Sequence, residues 1–385
     1  MTTEQSSQTH SPVTLKDIAE RCGVGVPTVS RALRDPNRFS KALTERIYAV
    51  AAELGYDPMR QDWARRMSLR RHGKRVINHL IALAFPGHFY NLPYYTGIFQ
   101  GIIDVLTPAG FNLLLLNVDD IELYPLSPSI SRGDVDGVIV HESLKRLPGV
   151  IGKLNAEPSL ADRPILTLFI DWPECLSVQV DYKQGAYAAA KHLLQQGHRH
   201  LLVIADIDEA MVHCSNDPFN HRLQGYRQAF QEQGLNPDEY LHYLPVNEEL
   251  YHVVIKNPPE VNVHAIPYHA HKQIDWLRSA LQANPDITAI LAINDLTATL
   301  LKEMLQLQGL RVPEDISLIG FDDTVPFIDH VTGENHLTTI QVPLHEVGMQ
   351  AANLLLSHIT NPKTPETSTV LPTVFRERDT VIARK

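Results

Sequence analysis

Beyond residue 78, short apolar runs alternate with amphipathic stretches. The runs are unbroken, which is typical of strands in a parallel sheet that helices cover on both faces. They lie at 80–85, 113–118, 137–140, 165–170, 201–205, 289–293 and 316–321. The stretches between them predict helices at 97–109, 184–196, 221–233 and 296–308, with Gly234 and Gly309 ending the last two. One sheet of ordinary width does not need so many strands, so the pattern predicts two α/β lobes in tandem over residues 76–385.

In residues 13–57 the apolar residues recur at the spacing of an α-helix instead. A first helix is indicated by an apolar face and by Thr14 with Asp17 as its N-terminal cap, and a glycine turn interrupts it at Gly23. Pro27 suits the first turn of a second helix, and a third is predicted from Ser40 to about Leu54. Two short helices joined by such a turn predict a helix-turn-helix. The apolar positions that carry the first two helices are Leu15, Ile18, Ala19, Cys22, Val29 and Leu33.

Charge divides the chain in the same way. The whole 385-residue protein has a formal net charge of −10, but residues 1–75 hold 14 Lys and Arg against 8 Asp and Glu, a net charge of +6. The other 20 basic and 36 acidic residues lie in residues 76–385, which we call the body, and give it a net charge of −16. Phosphate would therefore repel the body. Any contact with a polyanion is therefore expected from the small basic head. A helical bundle with no nucleic-acid role is the alternative interpretation.

Composition excludes several other classes. No apolar stretch approaches the ~18 residues of a membrane-spanning helix, and the polar first ten residues do not form a signal peptide. Cys22, Cys175 and Cys214 are too few and too far apart for a disulfide framework or a four-cysteine zinc site. We expect a cytoplasmic protein with no metal, no cofactor and no catalytic motif, in which residues 1–12 form a disordered tail.

On the functional interpretation, the second helix enters the major groove of DNA. Arg31 is the side chain that can make a bidentate contact with guanine. Val26 and Pro27 can touch thymine methyl groups, while Thr28 and Ser30 suit phosphates.

These residues resemble the DNA-binding domain of the lactose-repressor (LacI/GalR-type) family of bacterial transcription regulators. The resemblance lies in Val13 to Ala19, Gly23-Val24, Thr28 to Leu33, Ser40, Glu45 to Ile47 and Glu53 to Tyr56. In that family the residues aligned with Val26, Pro27 and Arg31 read the operator, and we include Thr14 among the expected DNA contacts.

Between the head and the body, residues 58–75 form a basic segment, with seven Lys and Arg and one acid between positions 60 and 75. The resemblance implies a hinge that becomes helical on operator DNA and wedges an apolar side chain into the minor groove. The family's spacing is stretched here, so Met67 is the candidate wedge and its insertion stays open. Phosphate contacts from Arg65 and Arg66 do not depend on that geometry. A solvated basic linker is the alternative.

The body resembles the same family's effector-binding domain, of the type I periplasmic-binding-protein fold. The resemblance lies in Pro93 to Tyr95, Asp136 to Ile139, Val180-Asp181, Gly225-Tyr226, Gly309 to Ser317 and Gly320 to Asp323. It implies effector contacts from Tyr94, Tyr95, Asp171, Arg222 and Asp295, to which we add Trp172 and Asn294. Such carboxylates, aromatic faces and a guanidinium suit a sugar. A nucleobase is the alternative, and residues 236–275 have no interpretable pattern.

Single acids after strands are often helix caps, which we expect of Asp322, Asp323 and Asp206, and Arg222 has a surface salt bridge as its alternative. The sequence as a whole predicts a homodimeric repressor controlled by a small molecule bound between two lobes. A plain sugar-binding protein or a sugar-metabolising enzyme would leave the basic head unexplained.

Overall fold

The computed structural model describes residues 13–34, 38–56, 76–86, 93–205, 217–246, 266–324, 335–365 and 367–384. The chain divides into two compact units, Met1–Ile77 and Asn78–Lys385. The predicted hinge contacts Arg65, Arg66 and Met67 lie outside the described residues, as does Asp206. No helix in the described ranges is both long enough and apolar enough to cross a membrane.

The first unit contains the three predicted helices: α1 (Leu15–Cys22), α2 (Val26–Arg34) and α3 (Lys41–Glu53). The Thr14 hydroxyl accepts a hydrogen bond from the Asp17 backbone N–H, and Asp17 in turn accepts from Thr14, which completes a capping box. Gly23 has φ +63°, the left-handed conformation that ends α1 without strain. The predicted turn between two short helices is confirmed.

A small apolar core joins these helices. Ile18 of α1, Val29 of α2 and Ile47 of α3 are completely buried. Arg21 pairs with Glu53 at 2.6 Å, which connects α1 to the end of α3, and the Tyr48 hydroxyl donates to the Leu33 carbonyl. The core therefore fixes the orientation of α2, which carries the candidate DNA contacts.

The second unit alternates strands and helices. Its strands are β1 (Leu80–Phe85), β2 (Asn112–Asn117), β3 (Gly137–Val140), β4 (Ile165–Leu168), β5 (Leu176–Val180), β6 (His200–Ala205), β7 (Leu241–Pro245), β8 (Ile287–Leu291), β9 (Ser317–Asp322), β10 (Thr339–Gln341), β11 (Ser368–Leu371) and β12 (Val374–Arg376). Its helices are α4 (Pro93–Leu106), α5 (Val118–Leu123), α6 (Pro128–Ser131), α7 (Leu147–Asn155), α8 (Tyr182–Gln195), α9 (Pro218–Glu232), α10 (Pro237–Tyr240), α11 (Ile266–Ala283), α12 (Asp295–Leu307) and α13 (Leu344–Thr360), besides a 3-10 turn at Pro158–Leu160.

The described strands form two six-stranded sheets. The first has the order β11-β5-β4-β3-β1-β2 and the second the order β12-β10-β9-β8-β6-β7. Each sheet is parallel except that β12 runs antiparallel to β10. We call the first sheet with α4, α7 and α13 the first lobe, and the second sheet with α8, α9, α11 and α12 the second lobe. The two predicted parallel-sheet lobes are confirmed.

The chain leaves the first lobe after β5, returns with α13, and crosses again between β11 and β12. Tyr182, at the beginning of α8, is therefore placed where the chain first enters the second lobe.

Two glycines let helices approach closely beside this crossing. A Cβ on Gly101 of α4 would collide with the His345 carbonyl of α13. One on Gly225 of α9 would collide with the Lys183 carbonyl of α8. These contacts hold α4 and α9 in position, and with them the side chains of Tyr94 and Arg222.

The structure shortens the strand predicted at 165–170. The strand ends at Leu168, because Phe169 adopts φ +67°, in the left-handed region that bulky residues rarely occupy. Its backbone N–H donates to the Val178 carbonyl at 2.7 Å, which keeps it beside β5. Non-glycine residues in this region cost about 1–3 kcal/mol each and cluster at functional sites.

Candidate functional site

Helix α2 presents a solvent-facing side opposite its buried Val29 and Ala32. Val26 is 39% exposed. Pro27 and Arg31 are exposed, as is Thr14 at the beginning of α1, while Thr28 and Ser30 are half-buried. The structure thus leaves the predicted base-reading side chains of α2 accessible.

In the second unit, one group of side chains connects the two lobes. Tyr94, on α4 of the first lobe, and Tyr182 of the second lobe lie near enough for each to influence the pKa of the other, and Asp322 influences the pKa of both. Burial raises the pKa of both tyrosines well above the ordinary value, so both phenols stay protonated. We call this group the interlobe cluster; its members are Tyr94, His141, Phe169, Tyr182, Arg222, Phe321 and Asp322.

Arg222 is the cation of the interlobe cluster. Its guanidinium carbon lies 3.6 Å from the centre of the Phe321 ring and 4.8 Å from that of Tyr182. Its Nη1 donates to the Ile293 carbonyl at 2.6 Å, and Nη2 lies 3.9 Å from Asp322 Oδ1. Only 12% of the side chain is exposed, so the surface salt bridge considered above is not what forms. Cation–π contacts offset part of the cost of burying this charge.

The acid of the cluster is Asp322, the last residue of β9. Burial raises the pKa of Asp322 to about 6, although the Arg222 cation opposes the shift, so the carboxylate is mostly ionised at pH 7. Its φ of +98° is a further left-handed outlier at this site. Asp323, with φ +59°, accepts from both terminal nitrogens of Arg378. Both acids contact arginines within the described residues, while residues 325–334, where a helix capped by Asp322 or Asp323 would begin, lie outside them.

Aromatic rings continue the cluster into the first lobe. The Tyr94 ring lies 5.9 Å from Phe169, which lies 6.3 Å from Tyr182, which lies 5.9 Å from Phe321. His141, directly after β3, lies 5.2 Å from Phe169. A row of ring contacts therefore runs from one lobe to the other.

Asn294 and Asp295, both predicted effector contacts, lie at the N-terminus of α12. The Asn294 side-chain oxygen caps the helix by accepting from the Thr297 backbone at 2.8 Å. Asp295 is completely buried, and its oxygens accept from the Thr339 hydroxyl at 2.6 Å and from the Thr324 backbone at 2.7 Å. Both carboxylate oxygens of Asp295 are thus occupied inside the second lobe.

The remaining predicted effector residues belong to the first lobe. Asp171 is exposed and accepts from the Ser177 hydroxyl at 3.0 Å. Trp172 is half-buried and packs against the apolar core of the first lobe. Tyr95 is buried, with its ring 5.2 Å from Phe85.

The structure therefore brings Tyr94 and Arg222 together through Tyr182 and Asp322, and engages the other predicted residues in contacts of their own. Phe169, Tyr182 and Phe321 are not among the site residues predicted from the sequence. His141 and Phe169 follow strands, and that position was the signal available. No group of three or more His, Cys, Asp or Glu among the described residues is arranged to hold a metal ion.

Two family models match the chain. Residues 14–59 match the model described as bacterial regulatory proteins, lacI family, and residues 190–381 match a periplasmic binding protein-like domain. The chain belongs to the lacI family of bacterial regulatory proteins.

Relatives of this lacI-family protein are similar over almost its whole length. The HTH-type transcriptional regulator CelR of Thermobifida fusca is 28% identical over 373 residues, covering 95% of this chain and 97% of the relative. The HTH-type transcriptional repressor CytR of Escherichia coli K12 is 27% identical over 361 residues, covering 92% of each. The protein is a sequence-specific, DNA-binding transcriptional regulator.

Solved structures agree on the fold. A lac repressor dimer bound to operator and the anti-inducer ONPF has a TM-score of 0.65 at 21% identity, covering 97% of this chain and all of that one. A CelR–cellobiose complex has a TM-score of 0.60 at 24% identity, covering 96% and 99%. This lacI-family member thus has the predicted architecture, a helix-turn-helix head and a two-lobed α/β body.

Proposed function

We propose that this regulator is a repressor whose affinity for operator DNA is controlled by a small, sugar-like molecule bound at the interlobe cluster. The observation that carries the proposal is the row of ring contacts from Tyr94 of the first lobe through Phe169 to Tyr182 of the second, beside the Arg222–Asp322 pair. A molecule bound there touches both lobes, so it favours one lobe arrangement over another. It acts on operator affinity through that difference alone.

The chemistry of the cluster supports this ligand class. Aromatic faces at Tyr94, Phe169 and Tyr182 suit the C–H surfaces of a sugar ring, Arg222 donates hydrogen bonds, and ionised Asp322 accepts them. The CelR structure contains cellobiose, and a LacI family regulator from Enterococcus faecium, 24% identical with a TM-score of 0.60 and covering 80% of this chain, contains ribose. A nucleobase would stack on the same rings and is the alternative ligand.

Exposed apolar side chains at one edge of the first lobe support a homodimer. Ile103 of α4 is 42% exposed, and Leu115 of β2, the edge strand of the sheet, is 47% exposed. A second copy of the chain would cover this edge, which we call the β2 edge (Ile103 and Leu115). Two-fold pairing presents two heads to a near-palindromic operator in the cytoplasm. The protein binds its effector and does not convert it.

The test is a gel shift on the regulator's own upstream DNA, with and without D-ribose, cellobiose and adenine. We expect wild-type protein to bind and one uncharged sugar to alter the binding. Arg222→Gln should keep operator binding and lose that response. Arg227→Gln is the matched control, because Arg227 lies on the same helix but pairs with Asp238 at 2.6 Å. Equal responses in the two variants would locate the effector elsewhere, and a response to adenine alone would favour the nucleobase.

A further inference from the structure

Asp136, directly before β3, is a completely buried acid of the first lobe. Its Oδ2 accepts hydrogen bonds from the backbone N–H of Asn78 at 2.7 Å and from that of Leu80 at 3.3 Å. Its Oδ1 accepts from the Asn78 side-chain amide at 3.2 Å. The Asp136 N–H donates to the Leu80 carbonyl at 2.8 Å. Asp136 therefore holds residues 78–80 through both its side chain and its backbone.

Two further contacts surround this carboxylate. Arg163 Nη1 lies 3.4 Å from Asp136 Oδ1, and the arginine side chain is only 10% exposed. The Asn78 amide nitrogen also donates to the Gly133 carbonyl at 3.0 Å. Removing one partner of a buried ion pair leaves the other charge buried without it, so these contacts are costly to break. We call Asn78, Asp136 and Arg163 the entry anchor, because the second unit of the chain begins at Asn78.

The backbone changes direction inside the entry anchor. His79 lies between the two residues that bond to Asp136, and it adopts φ +61°, in the left-handed region that residues other than glycine rarely occupy. Such a conformation costs free energy and persists only where the surrounding contacts enforce it. Once the anchor is broken, His79 can return to an extended backbone. The direction in which the chain runs from β1 toward residue 77 would then change.

The strands of the first lobe connect the entry anchor with the interlobe cluster. Asp136 precedes β3 and His141 follows it, while Arg163 precedes β4 and Phe169 follows it. Both strands are buried along their whole length, and β3 pairs with β4 on one side and with β1 on the other. Residues 136 and 141 are about 16 Å apart along the strand. Because closely packed strands move as rigid elements, a shift at their carboxyl ends reaches the anchor.

We propose that Asp136 is a positioning residue for the control of operator binding, and that it couples the first lobe to the basic segment 58–75 through Asn78 and His79. Every covalent path from the helix-turn-helix to the second unit passes through these two residues. A change in the first lobe that loosens the anchor alters the direction in which the chain leaves it. The inference rests on the proposed function, since it requires that the second unit controls operator binding.

The test uses full-length protein, with the regulator's own upstream DNA at saturating concentration as the ligand. If the second unit controls operator binding, operator must act on the second unit in return. We expect this DNA, compared with a scrambled duplex, to alter hydrogen–deuterium exchange in wild-type peptides covering 137–142 and 165–170. Asn78→Ala removes both side-chain hydrogen bonds and keeps the backbone bond to Asp136. It should bind operator and show this effect reduced roughly 2- to 30-fold.

Asn112→Ala is the matched control. The Asn112 amide donates to the His79 carbonyl at 3.5 Å and takes no part in the entry anchor, so this variant should respond as wild type does. Asp136→Asn combined with Arg163→Met breaks the anchor a second way and leaves neither charge buried alone, so the effect should be reduced here too. Urea titrations measure the stability of each variant. A purely structural anchor would lower the free energy of unfolding and leave the exchange effect intact.

The outcomes separate the two proposals. A wild-type exchange effect in both anchor variants would overturn the role of Asp136, because the strands would then act without the anchor. Loss of the effect in Asn112→Ala as well would also overturn it, since any change beside β1 would then suffice. Wild-type protein that binds operator with no effect on either peptide would count against the proposed function instead.

Discussion

At the scale of single residues, this chain buries ionisable side chains in two ways. Arg222 and Asp322 are paired within the interlobe cluster, whereas Asp295 is completely buried beside Asp322 with no cation bonded to it in the described residues. Burial, and next the Asp322 charge, raise the pKa of Asp295 to about 8. Asp295 is therefore mostly protonated at pH 7 and acts as a neutral hydrogen-bonding group.

This raised pKa makes stability depend on pH. Between pH 4 and 8 the folded protein holds a proton on Asp295 that the unfolded chain has released, so this residue's contribution to stability falls as pH rises. Asp295→Asn keeps the shape and cannot ionise. We expect its free energy of unfolding, relative to wild type, to improve steadily from pH 5 to pH 8 in urea titrations.

Asp315→Asn is the control for that measurement. Arg311 lowers the pKa of Asp315 through hydrogen bonds, so Asp315 stabilises the fold above its unfolded pKa and loses this effect as pH falls through the folded one. A wild-type-like pH slope in Asp295→Asn would mean that Asp295 is ionised in the folded protein.

At the scale of elements, the two sides of helix α2 have different roles: one side packs in the core and the other faces solvent. Val29 and Ala32 are completely buried, while Val26, Pro27 and Arg31 are exposed. The buried positions decide whether the helix packs, and the exposed positions are free to differ without affecting the core. A substitution at an exposed position is therefore expected to change DNA recognition and leave stability unaltered.

Arg31→Ala tests this expectation. Losing one bidentate base contact, worth about 1–3 kcal/mol, should reduce the preference for operator over a scrambled duplex by roughly 10- to 100-fold, with weak salt-sensitive binding retained. Fluorescence anisotropy with both duplexes measures the ratio. Arg21→Ala is the control, because Arg21 is exposed but pairs with Glu53 on another helix. An unaltered ratio in Arg31→Ala would remove this residue from base reading.

Phe169 shows that a run of apolar residues does not reveal where a strand ends. The run at 165–170 has the composition of a strand throughout, yet the backbone leaves the strand at Phe169 with φ +67°. Periodicity reports which residues prefer burial, and Phe169 is indeed buried. The direction in which its ring is buried depends on Tyr94, His141 and Tyr182, which belong to other elements of the chain.

At the scale of the whole molecule, the proposed effector site and the proposed dimer interface both lie on the body. The interlobe cluster spans the two lobes, and the β2 edge lies on the first lobe. Because the chain crosses between the lobes after β5, before α13 and between β11 and β12, a change in lobe arrangement acts on all of these crossings together. The proposed control of operator affinity depends on this connection.

The dimer can be tested at the β2 edge. Leu115→Lys combined with Ile103→Lys places two charges where a second copy would pack, so we expect the mass in light scattering to fall from dimer to monomer. Affinity for a two-half-site operator should fall at least about tenfold, since a monomer loses the linkage between half-sites. Val370→Lys is the control, because Val370 is 58% exposed on β11 at the opposite edge of the same sheet. A dimeric double variant would place the interface elsewhere.

The sequence by itself determined the helix-turn-helix, the two parallel-sheet lobes and the basic head, because caps, turns and apolar periodicity act between neighbouring residues. It also selected Tyr94 and Arg222. Only the tertiary structure joined them through Tyr182, brought Asp322 to Arg222, and occupied both oxygens of Asp295 inside the second lobe. Burial, pairing and pKa depend on which atoms meet across long separations in the chain, and that is decided when the lobes pack.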